Sequence, residues 1–290
     1  MTMWEKLRPY AMVAPAITVF SVFFIYPIMY MIYLSMYDWN FISPTKTFVG
    51  LENFIDLLKE KEFIQVIANS TIYTILTVTF IIVFSLLLAL WLNRTGALYS
   101  FVQGAIFSPH IIALVSIAMI WGWLMDPEYG LLNWIIGLFG FGKLAWLSSQ
   151  STALISLVIV AVWKGLGYNT LVFIAGLQSI PKDIYEAASL DRSNPWTTFY
   201  RLVLPMLSPT LFFLIIINMI GSFQVFETIA IMTQGGPVNA TNTLVFYIYE
   251  YGFRFFKIGY ASAAGVVLLV IVGGLTIIYF KLMSKRVHYQ

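Results

Sequence analysis

The 290-residue chain has no cysteine, which excludes a disulfide, a thiolate nucleophile and a thiolate metal site. Its two histidines, without cysteine beside them, argue against any metal centre. Charge is equally scarce. Only 10% of residues are charged, against about 25% in an ordinary soluble domain. The net charge of +3 is too small to point to nucleic acid. No Ser-His-Asp set or paired-carboxylate arrangement can be argued from the order of residues. The run Gly137 to Lys143 has phosphate-loop spacing, but Leu144 stands where a Ser or Thr must hold Mg²⁺, and no strand precedes it. Low-complexity tracts, internal repeats and long linkers are also missing.

What fills the chain is apolar: 60% of residues are hydrophobic and the mean hydropathy is +0.85. Uncharged windows cover 9–37, 63–93, 95–125, 202–226 and 258–280, and a sixth, 144–181, is interrupted only by Lys164. Each can hold the roughly 20 residues that cross about 30 Å of hydrocarbon. Backbone in lipid must satisfy its own hydrogen bonds, so the windows are expected to be helices. The expectation is an all-α membrane protein with six transmembrane helices, near 11–36, 68–92, 101–125, 152–177, 203–231 and 259–282. The chain is expected to form a single transmembrane domain over 1–290, with its core over about 68–282. The first span is too long for a removed signal peptide and reads as a retained helix. Outside the spans, 50–66 reads as a short amphipathic helix (Leu51, Phe54, Ile55, Leu58), and 130–140 as an apolar run too short to cross.

Six spans put both termini on one side. With the termini inside, that side holds Lys6, Arg8, Arg94, Lys182, Arg192, Arg201, Lys281, Lys285 and Arg286, against Lys46, Lys59, Lys61, Lys143, Arg254 and Lys257 outside. The positive-inside rule then makes the termini and the 178–205 loop cytoplasmic.

That loop is a polar island between two apolar stretches. Pro181 suits the first turn of a helix, and Asp183 and Glu186 lie near the positive end of its dipole. Ala187 and Ala188 are small enough to let another backbone approach. On these physics a docking helix and an interfacial anchor are equally good readings. Glu186-Ala187-Ala188, Asp191, Phe199 and Leu204-Pro205 resemble, in order and spacing, the EAA loop of ABC importer permeases, with Arg192-Ser193 where that family has Gly-Ala. Pro15-Ala16, Tyr26-Pro27, Ser35, Trp39, Phe48 to Phe54 and Thr233 to Pro237 are similar to sugar-type, maltose-type permeases, and to the MalF-like subunit rather than the MalG-like one.

The resemblance implies a type I ABC importer permease fold in the cytoplasmic (inner) membrane of a prokaryote. It implies a coupling helix in which Glu186, Ala187, Ala188, Asp191 and Arg192 meet an ATPase. It also implies the partners: a second, MalG-like permease, two ABC ATPase subunits, an extracytoplasmic solute-binding protein and a carbohydrate ligand in the bilayer-embedded pathway. ATP and Mg²⁺ would bind the ATPase, and no cofactor this chain.

Two ionisable residues, Lys164 and Glu227, fall inside predicted spans, where a charge costs on the order of 2.5–3.5 kcal/mol. A cavity-facing Lys164 and a Lys164–Glu227 ion pair both answer that cost. Trp163 and Tyr168 offer flat faces of the kind that suit sugars. Asn218, Ser222 and Gln224 add polar groups, which equally serve helix–helix bonding. The maltose-type resemblance places ligand contacts at Lys164, Gly165, Tyr168, Asn218 and Ser222, with Gln224 nearby, and Glu227 is added to the candidate ligand contacts as the other charge within the spans. Pro109-His110 reads as a kink with a polar neighbour. Tyr247, Tyr249 and Tyr251 read as an interfacial belt. Gly165, Gly167, Gly265, Gly273 and Gly274, with Ala261, Ala263 and Ala264, read as close helix packing.

The function that follows is ATP-driven, binding-protein-dependent import of a carbohydrate by alternating access. The alternative is a secondary transporter driven by an ion gradient, for which broken half-helices and inverted repeats are expected, and the sequence shows neither.

Overall fold

The computed structural model describes residues 3–283, with side chains over 8–282. Lys285 and Arg286 therefore lie outside the described residues. The chain divides into two compact units, one running through Phe63 and taking in Tyr247–Val270, the other comprising Ile64–Phe246 and the chain from Ile271 onward.

In the first unit, α1 (Met3–Phe20) runs through a π-helical turn, Ser21–Ile25, into α2 (Tyr26–Leu34). The widened turn precedes Pro27, whose ring would otherwise meet the carbonyl four residues back. The apolar stretch of this helix is 0% buried within the chain. A short hairpin pairs β1 (Tyr37–Asp38) with β2 (Thr47–Phe48), Tyr37 opposite Phe48. Helix α3 (Glu52–Lys59) is shorter than the expected 50–66, and its predicted stripe is turned outward: Leu51, Ile55 and Leu58 are exposed, whereas Leu57 is buried. Asn53 Nδ2 locks α3 to the preceding chain through Ser35 O (2.8 Å) and Tyr37 O (3.1 Å).

Glu60 is extended, and α4 (Lys61–Leu92) starts directly after it. The Glu60 carboxylate accepts from the phenols of Tyr247 (2.8 Å), Tyr251 (3.2 Å) and Tyr260. Tyr247 and Tyr251 are therefore not the belt the sequence suggests. They are partners of a buried-side carboxylate, and burial and that carboxylate hold both phenols above their usual range. The carboxylate joins the start of α4 to the π-helical turn Glu250–Arg254, which follows α14 (Leu244–Tyr249), and to α15 (Ile258–Met283).

The second unit is built on α4, α8 (Ala153–Gln178) and α12 (Ser208–Phe223); α4 and α8 are each long and apolar enough to cross a membrane, and α12 is so together with the chain through Met232. Its main core joins Ala89 and Leu92 of α4, Phe173, Ile174 and Leu177 of α8, and Leu207 and Leu214. Gly167 lets α5 (Ala97–Ile111) lie directly on α8, since a Cβ there would overlap the Ile106 carbonyl oxygen. Gly273 and Gly274, read as packing glycines, have nothing within 4 Å of such a Cβ.

The third predicted span is not one helix. It is α5 followed by α6 (Leu114–Leu124), bent by 100° at the extended pair Ile112–Ala113. The fifth breaks at Gln224–Phe226 before α13 (Glu227–Met232). Among the described residues five segments are thus long and apolar enough to span, Ser208–Met232 counted as one across its break, or six with the bent pair, and the broken helices that the sequence did not show are present. The short apolar run is α7 (Leu131–Leu138). Asn133 at its centre is fully used by Pro127 O, Leu144 N–H and O, and the Trp146 indole.

Between α8 and α12 come α9 (Lys182–Leu190), α10 (Pro195–Thr198), a π-helical turn Phe199–Val203 again just ahead of a proline, and α11 (Leu204–Met206).

Candidate functional site

A cavity of about 430 Å³ lies among α4, the α5–α6 bend, α8 and the α12–α13 break. All seven residues marked from sequence for ligand contact line it: Lys164, Gly165, Tyr168, Asn218, Ser222, Gln224 and Glu227. Lys164, Gly165 and Tyr168 reach it from the continuous α8 and Asn218 and Ser222 from α12, while the break after α12 adds Gln224 and Glu227. Sequence reasoning missed Tyr73, Thr77 and Ile81 on α4, which look there like any residues of an apolar helix. Trp163, expected as a platform with Tyr168, is 38% exposed, packs edge-on against Trp121 at 5.5 Å and is not part of the lining.

Lys164 lines the cavity as expected, but its ammonium is engaged by backbone rather than by Glu227. Its Nζ donates to the backbone oxygens of Pro109 (3.2 Å), His110 (3.2 Å) and Ile112 (2.7 Å). Those are carbonyls left without helical partners where α5 stops, and a cation at a helix C-terminus also meets the negative end of the dipole. Among the described residues no ion pair joins Lys164 to Glu227. His110 does reach the cavity, and its ring stacks on Tyr168 at 4.9 Å and 15°, covering one face of the phenol.

Asn218 donates from Nδ2 to Asn169 Oδ1 (2.6 Å) and to Leu214 O (2.7 Å). Asn169 replies with Nδ2 to Asn218 Oδ1 (3.4 Å) and to Gly165 O (2.8 Å). Both amide donors of Asn218 are thereby taken, and acceptor capacity on Oδ1 is what it offers the cavity. Gly165 is needed for fit, since a Cβ there would stand 2.8 Å from Ile81 Cδ1.

The polar island folds as a surface device. Pro181 caps α9 from outside, and Asp183 lies in its first turn. Glu186, Ala187, Asp191 and Arg192 are exposed, while Ala188 is buried against the chain's own interior. The helix ends in a left-handed cap. Arg192 has φ +49°, Arg192 N–H bonds Ser189 O (3.1 Å) and Ser193 N–H bonds Ala188 O (3.0 Å). An arginine thus occupies the conformation in which glycine is at ease. Asn194 Oδ1 then caps α10 by accepting from Trp196 N–H (3.0 Å). Leu190 and Trp196, which sequence reasoning passed over, stand 84% and 70% exposed on this polar loop. Burial pushes the Tyr185 phenol up.

Residues 58–289 match the family described as binding-protein-dependent transport system inner membrane component. The chain is 34% identical over 288 residues to the sn-glycerol-3-phosphate transport system permease protein UgpA of Yersinia pestis, covering 97% of this chain and 96% of that one. It is 33% identical over 281 residues to the probable ABC transporter permease protein YurN of Bacillus subtilis, covering 96% of each. In a solved bacterial ABC transporter involved in the import of the acidic polysaccharide alginate, one chain superposes with a TM-score of 0.83 at 25% identity, over 98% of both chains. A second structure of the alginate transporter, in complex with an alginate pentasaccharide-bound periplasmic protein, matches equally well at 26% identity. The ion-gradient alternative has no counterpart among these relatives. A bundle of apolar helices with a polar cavity and an exposed loop helix, and relatives that span its whole length, lead to one assignment: the chain belongs to the binding-protein-dependent transport system inner membrane component family and is a permease subunit of an ABC importer.

Proposed function

We propose that this chain forms one half of the pathway for a carbohydrate, with a second, related permease subunit supplying the other half. The termini and α9 lie on the cytoplasmic side. Of two ATPase subunits, one grips α9 through Glu186, Ala187, Asp191 and Arg192, and a solute-binding protein delivers the ligand from outside. The convergence of the seven marked residues on one cavity carries this reading. Tyr168, Ser222, Gln224, Glu227 and Asn218 Oδ1 present hydroxyl, amide and carboxylate groups beside apolar walls, a combination that suits a ligand rich in hydroxyls with C–H faces. The relatives are named for sn-glycerol-3-phosphate and alginate, both polyhydroxylated.

The coupling role of α9 is supported by its exposure and by the bare Leu190 and Trp196, large apolar groups on a water-facing loop that a partner would cover. ATP binding closes the ATPases, α9 moves as a rigid lever, and access to the cavity alternates between sides. Glu186→Arg in the reconstituted complex tests it. The expected result is loss of ATP-dependent import with the ATPase subunits either released or hydrolysing without transport. Import at the wild-type rate would end the coupling assignment.

A further inference from the structure

Resting on the reading of the cavity as the ligand site, we infer that Glu227, and not Lys164, is the charge a ligand meets there, so that the cavity takes a neutral polyhydroxylated ligand and turns away anions. The inference departs from the relatives, whose named cargoes are anionic.

A lysine ammonium has three hydrogens. Those of Lys164 are met by three backbone oxygens, at 3.2, 3.2 and 2.7 Å. An incoming anion would have to strip these bonds away and leave the broken end of α5 uncapped. Glu227 has no such engagement. It is exposed, lines the cavity, and has neither an ion-pair nor a hydrogen-bond partner among the described residues. The cavity thus offers a ligand one cation that is already engaged and one carboxylate that is free. A carboxylate is acceptor-only, so adjacent hydroxyls of a sugar can each donate to one of its oxygens in charge-assisted bonds. A carboxylate or phosphate on the ligand would instead face like charge, a repulsive element that discriminates by itself.

The test uses the full importer containing this chain, reconstituted with its binding protein in proteoliposomes. The probes are neutral gluco-, manno- and xylo-pentasaccharides, alginate and galacturonate pentasaccharides, and sn-glycerol-3-phosphate. Wild type is expected to import a neutral probe in preference. Glu227→Gln should lower that import about tenfold, the loss of one charged hydrogen-bond acceptor, and raise the acidic-to-neutral ratio. Glu227→Asp should keep the wild-type ratio. Lys164→Met should lower all probes in proportion, as a positioning residue would. Wild-type preference for an acidic probe, or an unchanged ratio in Glu227→Gln, overturns the inference. Import of the preferred probe without ATP would instead sink the importer reading, whichever probe that is, and import of none overturns both.

Discussion

The reciprocal amide pair between α8 and α12 separates a structural from a ligand-binding role. Of the two bonds between Asn169 and Asn218, one is short at 2.6 Å and the other stretched to 3.4 Å, so the pair amounts to a little more than one good interhelical bond. Each Nδ2 also reaches a carbonyl one turn back on its own helix, at 2.8 and 2.7 Å, and those bonds survive loss of the partner. Interhelical side-chain bonds in membrane proteins average about 0.6 kcal/mol and reach about 1.7. A coupling energy of about 1 kcal/mol is therefore expected from a double-mutant cycle. Either single Asn→Leu change orphans a polar group beside the core and should cost about 1 kcal/mol, the low end because each remaining Nδ2 keeps its own-helix carbonyl. Changing both removes the orphan, and stability should recover toward wild type. The assay is unfolding of the purified complex in mixed micelles by titrated SDS, on all four corners of the cycle. Import is measured on the same four. Because Asn218 Oδ1 is the group left facing the cavity, the double-leucine variant should recover stability without recovering import. Additivity of the two stability changes to within about 0.3 kcal/mol would refute the coupling. Recovery of import together with stability would remove Asn218 from the ligand's contacts.

Two further outcomes follow from backbone geometry. Arg192→Gly places the residue at ease in the left-handed region. The relief of roughly 1–2 kcal/mol exceeds glycine's entropic penalty of about 0.5–1, so hydrogen exchange at the Arg192 and Ser193 amides should slow several-fold, and unchanged or faster exchange would contradict it. Gly167→Ala drives a methyl into the Ile106 backbone and should destabilise by about 1–3 kcal/mol, whereas Gly273→Ala, with open space around it, should be close to neutral in the same SDS titration.

Much of this arrangement is legible in the residue order, and the parts that are not have a common cause. Long uncharged windows locate α4, α8, α12 and α15 because lipid leaves an apolar stretch of that length no alternative to a helix. Motif matching brings seven scattered residues to one cavity although nothing in their spacing does so. The breaks at Ile112–Ala113 and Gln224–Phe226 escape a reading by hydropathy, because an extended pair of apolar residues scores the same as a helical one. Pro109 signals trouble at the first break but not a bend of 100°. Lys164 shows the same gap. Its charge announces that something must compensate it, yet the compensation comes from backbone oxygens 52 to 55 residues away, which no side-chain pattern records. Tyr247 and Tyr251 fit a surface belt until Glu60, 187 and 191 residues earlier, is seen between them.

The Glu60 clamp has a consequence for how the chain is born. At about 5–20 residues per second, ~10–40 s separate the emergence of Glu60 from that of Tyr247 at the ribosome. Throughout that interval the carboxylate has none of its three phenols, and water alone must satisfy it. The early helices are therefore inserted while this corner of the nascent protein is still open, and it closes only once synthesis has passed Tyr247.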